Sequence, residues 1–188
     1  MALLKKSTIK HHTTIICVLL LGILQPSSAA TPDQVKAAFL YNFTRYVIWP
    51  AQAFTDETSP FFLCIDANNN FTNIVTLTVK DEHVSKHPFE VINLQQKQPL
   101  RGCHAIFIGK DEKSKLQSYG QLFKSNSLIV SDIENCAAMP DGCILELKQE
   151  SNKFKININH QRALQAGLNI KASLLSLNIV TLVTEQNN

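Results

Sequence analysis

The chain is poor in the residues that build common catalytic loops. It has six glycines in 188 residues. No Gly-rich phosphate cradle, G-x-S-x-G elbow, H-E-x-x-H pair or paired-carboxylate motif occurs, which removes the usual signatures of nucleotide hydrolases, serine hydrolases and zinc peptidases. There is no C-x-x-C, so the cysteines lack the spacing of a thiol-exchange site. His83 and His87 are four residues apart, but Pro88 argues against a helix there. No nearby cysteine or carboxylate completes a tetrahedral set, so they read as solvated loop histidines and no metal or cofactor is expected. No internal repeat or low-complexity tract is present.

Excess charge is missing too. Lys and Arg number 18 against 15 Asp and Glu, but Lys5, Lys6 and Lys10 fall in an N-terminal stretch that has no acid. The remaining 158 residues are neutral on balance, which removes the bulk electrostatic case for nucleic acid or anionic lipid as partner. A composition 45% hydrophobic and 18% charged is that of an ordered chain, and this length suits one domain.

Long apolar runs are absent after the first 30 residues. Within those 30, the three lysines precede an apolar run from Ile15 to Leu24, and Pro26-Ser27-Ser28-Ala29-Ala30 follows. That order is the mark of a secretory signal peptide, with Ser28 and Ala30 at the −3 and −1 positions. A run of about 10 apolar residues is short for a membrane anchor, which takes about 20. Cys17 sits at the start of the run, which disfavours a lipoprotein. Residues 1–30 are therefore expected to be removed, leaving a soluble domain over 31–188 in a bacterial periplasm.

Export changes how cysteine is read. Cys64, Cys103, Cys136 and Cys143 remain, an even number in an oxidising compartment. Pro140-Asp141-Gly142 is a turn signal that folds Cys136 and Cys143 together. Closing that loop would stabilise by about 2.5 kcal/mol in the chain-entropy account. Cys64 and Cys103 lie in apolar, strand-like segments. If those strands are neighbours, a bridge would contribute about 4 kcal/mol; otherwise the two are buried free thiols.

The pattern along the chain predicts an α/β fold, a three-layer sandwich with a mixed, mostly parallel sheet flanked by helices and an antiparallel edge hairpin. Thr31 or Asp33 caps a first helix that ends before Trp49-Pro50, with Val35, Phe39, Phe43, Tyr46 and Val47 on its inner face. Residues 51–60 form a polar loop. Strands are expected over 61–65, 89–94, 104–109 and 127–131. Helices are expected over 71–79, capped by Asn70, and over 110–124. Cys143–Leu147 and Lys153–Ile158 read as an antiparallel pair. A short helix over 161–166 ends at Gly167, and a last helix runs over 172–183.

Taken in order, these segments bring a family into view. Ala37-Ala38-Phe39-Leu40-Tyr41-Asn42-Phe43-Thr44-Arg45-Tyr46-Val47-Ile48-Trp49-Pro50 resembles the K-A-x-x-L-Y-x-F-x-x-Y-x-x-W-P opening of YfiR-like (YfiR/HmsC) periplasmic regulators. The Cys64 strand, Gly102-Cys103-His104-Ala105-Ile106-Phe107-Ile108, Leu128-Ile129-Val130-Ser131-Asp132, residues 153–159 and residues 166–175 continue the match. The resemblance implies a periplasmic protein that represses a membrane-bound diguanylate cyclase by binding its periplasmic sensor domain, lowering cyclic di-GMP and biofilm formation. It also implies an outer-membrane lipoprotein that sequesters the repressor. It implies linkage of Cys136 to Cys143 in support of folding, and of Cys64 to Cys103 with redox sensitivity. One departure is Asp141-Gly142, where the family often has Gly-Gly.

Two function classes remain. In the first, the chain is a binding module without catalysis, expected as a homodimer, since symmetric dimers are common. In the second, it is a secreted enzyme or small-ligand receptor that uses the carboxyl edge of the sheet. Asn159, Asn169 and Lys171 would supply its polar pocket, although solvated loop and cap roles are preferred for all three. Asp66 and Asp132 follow strands and are expected to cap helices or begin turns. Core packing is the default for Phe39, Tyr41, Phe43, Tyr46 and Trp49, with a pocket for a partner's aromatic side chain as the alternative.

Overall fold

The structure is a computed structural model that describes residues 29–96, 102–122, 126–151 and 153–185. The expected signal peptide lies almost wholly outside these residues, as do Cys17 and Phe123. The description below concerns the unit from Thr31 onward. Among the described residues no helix is long and apolar enough to cross a membrane.

Helix α1 spans Pro32–Tyr46. The Thr31 side chain accepts the Gln34 amide while the Gln34 side chain accepts the Thr31 amide, a reciprocal cap with Pro32 in the first turn. Its inner face is Ala37, Leu40, Phe43 and Thr44, rotated from the face the aromatic spacing predicts. Small Ala37 lets the helix backbone approach the sheet, and Phe39 moves to the rim, against Phe43 and Phe154. Helix α2, Asn69–Thr78, is capped by the Asn68 side chain and not by Asn70. The region expected as one helix over 110–124 is a 3-10 segment, Lys110–Lys115, leading into α3, Leu116–Leu122. Helices α4, His160–Gln165, and α5, Ala172–Leu175, complete the set.

Strands β1 (Val47–Ile48), β2 (Phe61–Asp66), β3 (His83–Val84), β4 (His87–Asn93), β5 (Ala105–Ile108), β6 (Leu128–Ser131), β7 (Leu145–Glu150), β8 (Lys153–Ile158), β9 (Asn169–Ile170) and β10 (Val180–Leu182) form two sheets. The main one has eight strands in the order β10-β8-β7-β6-β5-β2-β4-β3. Strands β4, β2, β5, β6 and β7 run parallel, and β7 and β8 form an antiparallel hairpin. That hairpin is not the edge: β10 lies outside β8, parallel to it. The last helix predicted over 172–183 is thus a single turn followed by a strand. Ile179, Val180, Thr181 and Val183 are β-branched, and β8 offers them a free edge. Strands β1 and β9 pair separately, tying the chain after α1 to the segment after α4.

Alternation along the strands divides the core in two. Leu63, Ile65, Ala105, Phe107, Leu128 and Val130 face α1, α2, α4 and α5. Cys64, Ile106, Ile108 and Ile129 face α3 and the loop carrying Ile133, Cys136 and Cys143. Strands β5 and β6 are buried at every position, as two covered faces require. This is a three-layer α/β sandwich.

Candidate functional site

The connection from β2 through α2 leads to β4 on one side, whereas the next crossover leads back past β2 to β5 on the other. Chain direction therefore diverges at the carboxyl ends of β2 and β5, the place where open α/β sheets leave a crevice. A cleft of about 430 Å³ opens there, with Asn68, Gly109, Lys110, Asp132, Lys36 and Phe71 in its walls. Gly109 brings the two turns together: a Cβ there would sit 3.1 Å from that of Ala67.

Four acidic groups at this edge, Asp33, Asp66, Glu112 and Asp132, are held by the protein itself. Lys36 bridges from α1 to Asp33 at 2.9 Å and to Asp132 at 3.0 Å, and it lies over the Phe71 ring. Burial pulls its ammonium down, but the hydrogen bonds it donates to Asp33 and Asp132 outweigh that and leave its pKa above the ordinary lysine value. Asp132 also accepts the Lys110 amide, 22 residues away, at 2.7 Å. Asp66 departs from its expected cap role. Its carboxylate is fully buried and accepts from Tyr119 Oη at 2.5 Å, Lys115 Nζ at 3.1 Å and Gln95 Nε2 at 2.5 Å. Burial, followed by the Asp66 hydrogen bond, pushes the Tyr119 phenol well up. These are closed ion pairs and hydrogen bonds that position turns, and among the described residues no group of three His, Cys, Asp or Glu is placed to hold a metal.

Both cysteine pairs are joined. Cys64 on β2 meets Cys103, just before β5, with Cα atoms 5.8 Å apart, and Cys136 meets Cys143 at 5.2 Å. The second bridge closes a loop gripped from three directions. Glu146 accepts the Asn135 amide at 3.0 Å, Asn159 donates to the Ala137 carbonyl at 2.9 Å, and Arg162 donates to the Cys143 and Met139 carbonyls. Glu146 and Arg162 were invisible as loop clamps in the sequence because they lie on β7 and α4.

A family model described as YfiR/HmsC-like matches residues 33–178. The chain belongs to the YfiR/HmsC-like family. No curated protein matches it. The match spans every element from α1 to α5, and the β2–β5 crevice and both cysteine pairs lie within the matched residues. The YfiR/HmsC-like proteins are a regulator family.

The residues proposed from sequence for a polar pocket are not gathered into one. Asn159 is buried, caps α4 by accepting the Arg162 amide, and holds the Ala137 carbonyl. Asn169 pairs with Ile48 in the small sheet, and Lys171 Nζ donates to the Arg45 carbonyl. Asn159 is a cap, Lys171 a tie, and Asn169 an exposed strand residue. The aromatic set is divided as well: Phe43 is in the core, while Phe39, Tyr41, Tyr46 and Trp49 are partly buried against it. His87 corrects another expectation. It is buried, not solvated, stacked on Phe54 with ring centroids 3.6 Å apart and bonded to the Ser59 carbonyl.

Proposed function

We propose that this chain is a periplasmic negative regulator that binds the sensor domain of a membrane diguanylate cyclase and holds that enzyme inactive. The family match over residues 33–178 carries the reading. The neutral balance of the chain after residue 30 and the signal-like N-terminus support the location. Repression is a population shift: the regulator binds the inactive sensor conformation more tightly than the active one, since equal affinity for both would move nothing. An outer-membrane lipoprotein that competes for the regulator would release the cyclase. The closed ion pairs at the carboxyl edge favour a part played by surface contact over one played by turnover.

The test is cellular. Expression of the chain with its N-terminal 30 residues should lower cyclic di-GMP in a strain carrying the partner cyclase. The same chain without those residues should leave the level unchanged, because it stays on the wrong side of the membrane. Equal repression by both forms would contradict the proposal.

A further inference from the structure

The loop between Pro50 and Pro60 is strapped to the body by two histidines. His104 Nε2 lies 2.8 Å from the Ala53 carbonyl, and His87 Nδ1 lies 2.7 Å from the Ser59 carbonyl. A carbonyl only accepts, so both ring nitrogens carry a proton. His104 Nδ1 accepts the Phe62 amide at 3.0 Å, and Phe62 in turn accepts the His104 amide through its carbonyl. His104 is therefore neutral, in one tautomer, with both ring nitrogens occupied. Phe54 of the strap stacks on both imidazoles, at 3.6 Å on His87 and 4.8 Å on His104.

We propose that the strap over residues 51–60 is an acid-released cover and that His104 is its latch. A second proton has one place to go, Nδ1, where it removes the acceptor of the Phe62 amide. It also puts a cation in an apolar setting. Phe61 and Phe62 on β2, Phe54 and Ala53 on the strap, Trp49 before it and His87 on β4 face the ring. Among these, His87 is the one titratable group, and it opposes a charge on His104. The ion pair that the strap makes with β4's neighbouring turn, Lys86 with Glu57, is exposed to solvent, where it is screened. Stacking of an imidazolium on Phe54 recovers part of the cost, but the Phe62 amide stays unpaired until the strap lifts. Lifting it uncovers Trp49, Phe54 and Phe61, an apolar surface that neutral pH keeps closed.

Imidazole nitrogen NMR on the purified chain, from about pH 8 to about pH 4.5, reads the latch across the histidine range. Proteolysis between residues 51 and 60 and hydrogen exchange at the Phe62 amide read the strap. We expect His104 to be protonated at Nε2 alone at neutral pH and to take its second proton below the ordinary histidine range. Strap cleavage should then rise about tenfold per pH unit, since cleavage follows the open population. His104→Asn keeps an acceptor for the Phe62 amide and takes no charge, so its strap should be indifferent to pH. A His104 that stays neutral to the end of the titration, one that titrates while the strap stays protected, or a His104→Asn strap with the same acid release would overturn the proposal. Should that variant fail to fold, the wild-type titration alone decides. The outcome is independent of any cyclase partner.

Discussion

A buried charge is a commitment, and Asp66 is the clearest one here. Its carboxylate is sealed from solvent and bound by Tyr119, Lys115 and Gln95. Asp66→Ala leaves the Tyr119 hydroxyl and Lys115 without their shared acceptor, and should cost about 3 kcal/mol in urea unfolding. Tyr119→Phe removes one hydrogen bond and should cost about 1 kcal/mol. His104 sets a pH dependence whose sign follows from its position. Burial holds its pKa below the ordinary 6.5, so the unfolded chain binds the extra proton first. Its contribution to stability is complete above about pH 6.5 and is lost as pH falls through the folded value, by at most about 1.4 kcal/mol per pH unit. Urea midpoints across that range should show this slope, and His104→Asn should remove it. Asp66 was legible as a strand-end acid, but Lys115 and Tyr119 lie 49 and 53 residues away, and no local pattern announces such pairing. His87 was misplaced for the same reason: its burial comes from Phe54, which arrives from another loop.

Elements whose signals are local were the readable ones. The Thr31 cap, Pro32 and Trp49-Pro50 delimit α1 within a residue or two, and unbroken apolar runs mark β5 and β6. What failed needed a neighbour to decide it. Residues 172–183 carry leucines at helical spacing and β-branched residues together, and only the open edge of β8 turns their second half into β10. The Cys136–Cys143 loop tests how far local chemistry governs an element. Replacing both cysteines by Ser should cost about 2.5 kcal/mol, a fall in melting temperature of about 5–10 °C for a domain of this size. Gly142→Ala should do at least as much harm with the bridge intact. A Cβ there would lie 2.0 Å from the Cys136 carbonyl oxygen, and backbone on both sides has to move. Calorimetry of the two variants side by side checks this. Asp141, which stands where the family often has glycine, has φ of 49°. That is the left-handed region, which Asp tolerates better than most residues.

At the scale of the whole molecule, the three layers place a crevice at the divergence of β2 and β5, and Lys36 crosses its rim to pair with Asp33 and Asp132. Sequence indicated the layers, the parallel sheet and the family. It did not indicate where the carboxyl-edge cleft lies, because that depends on strand order and on Lys36 reaching across from α1. Asn159, Asn169 and Lys171 were candidates by their position near the ends of late elements; the fold spends the side chains of Asn159 and Lys171 on holding backbone and leaves Asn169 exposed on β9. The account therefore rests on surface recognition. The most direct test mixes the purified chain lacking its first 30 residues with the periplasmic sensor domain of a membrane diguanylate cyclase from the same cell, and measures mass by light scattering during gel filtration. The account predicts a stoichiometric complex and lower cyclase output when the full-length enzyme is used. Two separate peaks at concentrations well above those of the periplasm, with cyclase output untouched, would contradict it.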